Sequence, residues 1–382
     1  RLRTDTALEE GNGNLLTDGT ILFFEGWAPA DRLAAVGNVL DQLDCAWEAE
    51  DPKADEYPDV PVRLRNNWFS RPLNMVTDMY ALPVYGSLDP NPLMAPFFIL
   101  FYGIMMADMG YGLLMLAMGL FLWKKKVRGT LDYMGGLLVL CGISTFIVGA
   151  LTGGFFGDFL SQLAKLIDPE STFALPYLFT PLTDTMAILV GSLVLGFLQI
   201  LTGMVISFVK KARDGHIMDG IWDEGTWWVI FLGAGLAVLG VGNVAGYPVV
   251  LILGIVMLVV GSGRNARGFG KVTSVFGAVY NGVTGYFSDI MSYSRLMALM
   301  LSGSIIASVF NQLGAVTGNV IAFVIISALG NALNFALNLL GCYVHDLRLQ
   351  CLEFFNRFYE SGGRPFRPLA YQTNYVDIKE EN

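Results

Sequence analysis

The chain has 382 residues, 54% of them hydrophobic and only 15% charged, with a mean hydropathy of +0.52. A soluble domain carries about a quarter charged residues, so this composition excludes an ordinary cytosolic enzyme. The net charge of −9 sits in residues 1–92, which hold 7 basic and 16 acidic side chains against 17 of each in residues 93–382. An acidic head argues against nucleic acid or anionic lipid as its partner.

The chain begins at Arg1, with no Met and no signal-peptide pattern, and reads as a fragment. Residues 18–26 (DGTILFFEG) read as a strand. Residues 31–43 read as an amphipathic helix, with Asp31 as its N-cap after Pro29. CAWEAED and VPVRLRN read as further strands, so residues 1–92 are expected to be the membrane-proximal part of a truncated cytosolic α/β domain. Residues 93–382 are expected to form a transmembrane domain. The four cysteines have no metal-ligand spacing and read as packing residues.

The apolar segments are 93–123, 133–157, 184–209, 226–242, 247–262, 272–292 running into 293–313, and 318–359. Basic residues mark the cytoplasmic loops: Lys124–Lys126 with Arg128, then Lys210, Lys211 and Arg213, then Arg264, Arg267 and Lys271, and finally a tail with Arg357, Arg364, Arg367 and Lys379. The connections 158–183, 243–246 and 314–317 carry almost no positive charge and belong outside. With a cytosolic head and a cytosolic first basic cluster, segment 93–123 is expected to fold back on itself as a re-entrant or hairpin segment, the alternative being one long tilted helix that violates the sign rule. Asp108, Gly110 and Gly112 supply the break. The expected architecture is a predominantly α-helical polytopic membrane protein of about eight membrane segments, the last two long and tilted, with a small α/β cytosolic N-terminal portion and both termini cytoplasmic. GSGRNARGFG (261–270) lacks the GK[ST] ending of a phosphate loop and reads as a basic turn. Trp227 and Trp228 read as a membrane–water interface pair.

Two arginines lie inside apolar helices. Arg295 is followed by some fifteen mainly apolar residues before Asn311, and a guanidinium at such depth costs about 2.5–3.5 kcal/mol on insertion scales. Deprotonation offers no escape. Ser288, Ser292, Arg295 and Ser302 recur at helical spacing and form a polar stripe. Asn331, Asn334, Asn338, His345 and Arg348 form a second one on the last segment, whose roughly forty residues span about 60 Å. Two such stripes read as an ion path. The alternatives are that Arg295 pairs with Asp289 or Asp108 and locks the bundle, and that Arg348, with Asp346 and Glu353 beside it, snorkels to the surface.

PFFILFYGIMMADMGYG (96–112), SYSRLMALML (292–301) and VHDLRLQCLEFFNRFYESGGRPFRPL (344–369) resemble the membrane subunit of rotary V-type and archaeal/bacterial A/V-type ATPases, called subunit a or subunit I. The resemblance implies a prokaryotic plasma-membrane stator subunit that couples H⁺ or Na⁺ translocation to rotation. Arg295 and Arg348 would face the carboxylates of a rotating proteolipid c/K ring. Ser288, Ser292, Ser302, Asn331, Asn334, Asn338, His345 and Glu353 would line two ion half-channels. Eukaryotic relatives often carry a Glu near the position of Asn338. The implied partners are the ring, the peripheral- and central-stalk subunits and the lipid bilayer. No cofactor or metal is expected in this chain beyond the translocated ion, and ATP chemistry is expected in partner subunits. The competing class is an ion-coupled secondary transporter with a midplane site, which predicts internal repeats; none is evident in the sequence.

Overall fold

The computed structural model describes residues 16–18, 21–125, 130–171, 173–240, 243–244, 247–262 and 270–366. The basic residues Lys126, Arg128, Arg264, Arg267, Arg367 and Lys379 lie outside them. The chain divides into two units, one of residues 1–65, 81–89 and 360–382, the other of residues 66–80 and 90–359.

In the first unit, β1 (Leu16–Asp18) pairs antiparallel with β2 (Ile21–Phe23), so the strand expected over 18–26 is short. The expected helix is α1 (Leu33–Leu40), preceded by a 3₁₀ turn at Ala30–Arg32. Asp31 lies in that first turn, and Pro29 rather than Asp31 holds the cap position. CAWEAED forms no strand: its residues are all exposed, so an apolar face there has nothing to bury against. From VPVRLRN only β3 (Pro61–Val62) is extended. It runs parallel to β7 (Ser361–Pro365), whose other edge takes β4 (Leu82–Pro83) antiparallel.

The second unit is helical. After α2 (Asn74–Tyr80) come α3 (Asn91–Met106) and α4 (Met109–Lys124), each of 16 residues. They are separated at Ala107, whose φ of 33° is left-handed, and at Asp108. Both helices lie on α5 (Thr130–Thr152). Gly103 of α3 abuts Ser144, while Gly112 and Gly119 of α4 abut Phe146 and Val139, so α4 runs antiparallel to α5. A Cβ on Gly112 would stand 2.6 Å from the Phe146 backbone nitrogen, and one on Gly142 would stand 3.0 Å from that of Leu116. Small residues on facing ridges allow this approach.

Next come α6 (Phe159–Ile167), α7 (Thr185–Arg213), a short helix with a π turn over 217–225, α8 (Thr226–Val238), the β5–β6 pair (243–244 with 247–248) and α9 (Val249–Ser262). Then follow α10 (Gly270–Ser292), α11 (Ser294–Val316) and α12 (Val320–Arg348), the last continuing through a π segment, Leu349–Phe354.

Four stretches are long and apolar enough to cross a membrane: Leu131–Thr152, Thr185–Arg213, Thr273–Val316 and Val320–Arg357. The expected count of about eight is therefore not upheld. A span needs about 20 residues, and α3, α4 and α9 have 16, 16 and 14. The last two spans are the longest, at 44 and 38 residues. On α12 the usual polarity is reversed: Leu329 is 74% and Leu340 67% exposed, while Asn331, Asn334 and Asn338 are buried. A helix with apolar residues outside and amides inside suits a hydrocarbon surround. The interior is filled by Phe98, Phe101, Tyr293, Leu296, Phe354 and Phe355. Trp227 and Trp228 are half-buried, Trp227 4.6 Å from the Tyr286 ring and Trp228 with its indole nitrogen unbonded.

Candidate functional site

Two irregularities position the charged residues. The α10–α11 helix tightens at Tyr293, where Leu296 N donates to Tyr293 O at 3.0 Å, and α12 widens into its π segment just after Arg348. π turns inside α-helices frequently accompany functional sites. Arg295 lies near the midpoint of the 44-residue span, and its Nη1 approaches Glu353 Oε1 of the π segment at 3.9 Å. Arg295 Nη1 and Glu353 Oε2 are buried without hydrogen bonds. Of the residues singled out in the sequence, Arg295 and Glu353 are thus brought together.

Neither alternative carboxylate partner of Arg295 is available. Asp289 pairs with Arg357, whose guanidinium stacks 4.2 Å from the Tyr286 ring centroid. Arg357 is therefore an interior ion-pair residue rather than part of a solvated basic tail. Asp108 accepts from the backbone nitrogens of Gly110 (2.8 Å), Tyr111 (3.2 Å), Phe156 (3.0 Å) and Gly157 (2.7 Å). Four N–H groups satisfy this carboxylate without a cation.

The other polar positions separate by face. Ser288 and Ser302 are exposed, and Ser292 donates back to Ser288 O at 3.0 Å. Arg348 is exposed, and His345 is half-buried with Nδ1 unbonded. The three asparagines turn inward. Asn338 donates to Asn334 Oδ1 (2.9 Å), and Asn334 donates to Tyr111 Oη (2.9 Å) and Gly303 O (2.9 Å). Tyr111 donates to Asn331 Oδ1 (2.7 Å), and Asn331 donates to Asn311 Oδ1 (3.1 Å). Asp346, beside Arg348 in sequence, is fully buried and accepts from Gln350 (3.2 Å). Gln350 accepts from Gln199, which accepts from Tyr293 (2.8 Å).

Sequence reasoning missed Tyr111, Asn311, Gln199, Gln350 and the Asp289–Arg357 pair. A signal existed for Gln199, a lone amide in the apolar run GFLQILTG. Tyr111 carried none, because a tyrosine at a helix start reads equally well as packing. No group of three or more His, Cys, Asp or Glu side chains among the described residues is arranged to hold a metal.

Fold and site together define a helical protein built for an apolar surround, with guanidinium and carboxylate groups deep inside its longest helices. Residues 13–145 match the V-type ATPase 116 kDa subunit family. Across 94% of its length the chain is 34% identical to the A-type ATP synthase subunit I of Methanocaldococcus jannaschii, covering 56% of that protein. It is 30% identical to the corresponding subunit of Methanothermobacter thermautotrophicus over 94% of its length, covering 53% of that protein. It is 23% identical to the V-type ATP synthase subunit I of Chlamydia pneumoniae, with 93% of this chain and 61% of that one aligned. The chain belongs to this subunit I family and spans just over half the length of the curated relatives it matches.

Proposed function

We propose that this chain is the membrane part of the stator subunit of a rotary A/V-type ATPase, in which Arg295 and Arg348 face the carboxylates of a rotating proteolipid ring. The observation that carries the reading is the Arg295–Glu353 approach at 3.9 Å, with Arg295 Nη1 and Glu353 Oε2 buried and unbonded. Burying such groups without full pairing costs free energy. A second carboxylate presented by a partner would recover it.

In this reading each ring carboxylate crosses lipid neutralised by its ion. On reaching the stator it meets Arg295, whose permanent positive charge favours the ionised form, and the ion is released. A lysine could lose its proton in such a setting; an arginine does not. One aqueous half-channel opens outward and the other to the cytosol, and the fixed charges between them block a direct leak. Ser288, Ser292, Ser302, His345 and Glu353 line the route near the arginines, and Asn331, Asn334 and Asn338 form the wall behind. ATP chemistry belongs to partner subunits, and the peripheral and central stalks complete the machine.

The test is Arg295→Ala in the assembled complex reconstituted in vesicles. ATP-driven H⁺ or Na⁺ uptake is expected to fall to background while the complex still assembles. Coupled pumping that persists at the wild-type rate would overturn the assignment.

A further inference from the structure

A cavity of about 240 Å³ opens beside the α3–α4 break, lined among others by Asp108, Thr152, Asp158, Ser161, Ser304 and Ser308. Its two carboxylates differ. Asp108 is held by four backbone N–H groups and fixed in place. Asp158 has only neutral side-chain donors: Asn311 on Oδ1 (3.0 Å), and Ser308 (3.1 Å) and Gln162 (3.0 Å) on Oδ2. No Lys or Arg among the described residues forms an ion pair with either acid.

Asp158 is also the end of the asparagine file, and the direction of that file is forced. Asn311 Nδ2 faces Asp158 Oδ1 and Phe156 O, which only accept, so its own oxygen must accept from Asn331. Asn331 Nδ2 also faces Ser327 O, so Asn331 Oδ1 accepts from Tyr111. Asn334 Nδ2 faces Gly303 O as well as Tyr111 Oη, so Asn334 Oδ1 accepts from Asn338. Every bond from Asn338 through Asn334, Tyr111, Asn331 and Asn311 therefore donates towards Asp158. Aligned bonds of this kind polarise one another. An amide passes a proton on only through its imidic acid form, so four amides and one phenol make a poor proton wire. They make a good fixed dipole file.

We infer that Asp158 is the charged residue of the outward-facing ion vestibule, and that the α12 asparagine file stabilises its negative charge rather than carrying the ion. This rests on the stator reading above and adds to it the group that sets the affinity of the outer mouth for a hydrated monovalent cation. A carboxylate with no cation beside it at the wall of a cavity attracts cations and repels anions.

The experiment uses the assembled complex in vesicles and reads the inhibition of ATP-driven pumping by the transported cation on the outer face, with Na⁺ and H⁺ titrated separately. Asp158→Asn is expected to raise the half-inhibiting concentration about tenfold; Asp158→Glu is expected to restore it. In a Cys45→Ser background, Asp158→Cys labelled with an anionic methanethiosulfonate should move towards wild type, and the same variant labelled with a cationic reagent should move away. Equal effects of the two labels, or an unchanged half-inhibiting concentration in Asp158→Asn, would overturn the inference. The label comparison still decides the matter if Asp158→Asn fails to assemble, because it compares charges within one assembled protein. If Arg295→Ala abolishes coupling and Asp158 proves silent, only this inference falls. If Arg295→Ala still pumps, the stator reading itself falls.

Discussion

Asp108 sits fully inside the helical unit with no cation, and its four backbone donors explain why. It caps α4 through Gly110 and Tyr111 and pins the 156–157 turn to the helix break. Removing the acceptor leaves buried N–H groups unpaired, each at about 1–3 kcal/mol. Asp108→Ala is therefore expected to lower stability by about 3 kcal/mol, read as a lower midpoint of thermal unfolding in detergent. Asp108→Asn keeps an acceptor oxygen and should fall between. Arg295 behaves differently: its partner is loose and its Nη1 unsatisfied, so Arg295→Ala should leave thermal stability nearly unchanged while abolishing coupled transport. That contrast separates a structural charge from a working one.

Helix pairs, rather than single side chains, account for the glycine content. On α4 and α5, Gly112, Gly119, Gly142 and Gly149 stand where a Cβ would strike backbone. Gly112→Leu is expected to cost about 1–3 kcal/mol by overpacking, whereas Gly235→Ala, with nothing within 4 Å of its Cβ direction, should be neutral or slightly stabilising. Differential scanning of the two purified variants checks the pair. The polarity of α12 makes a further element-scale prediction. With Leu329→Cys and Leu337→Cys, a photoactivatable lipid-phase thiol reagent should label readily. With Asn331→Cys and Asn334→Cys it should not, since those positions face α4 and α11 through Tyr111, Asn311 and Gly303. Equal labelling of both sets would contradict the buried asparagine face.

At the scale of the whole molecule, much was legible beforehand. Composition gave a membrane-type helical chain, and the Asp108 break was visible because a carboxylate and two glycines rarely continue an apolar helix. Arg295 and Arg348 stood out because a guanidinium has no neutral form to hide in. The span count was not legible, because apolar runs of 14 to 16 residues look the same in sequence whether they cross a bilayer or pack short. Nor were the strands of the first unit: β3, β4 and β7 are joined from distant stretches, and two residues of extended chain leave no periodicity to read. If the stator reading holds, the full-length protein should copurify with a small membrane protein bearing a carboxylate at mid-helix. A preparation that pumps ions without any such partner would favour the transporter class.

What the sequence determined by itself is chemical: which residues are permanently charged, which stretches tolerate lipid, and which motifs mark the family. The tertiary structure decided which of those charges are spoken for. Asp289 is matched to Arg357, Asp108 to backbone amides, and Arg295 is left against Glu353 at 3.9 Å. Asp289 meets Arg357 across 68 residues of chain, and Asp108 meets the Gly157 amide across 49. Helical periodicity assigns a residue to a face, but only packing determines what that face meets.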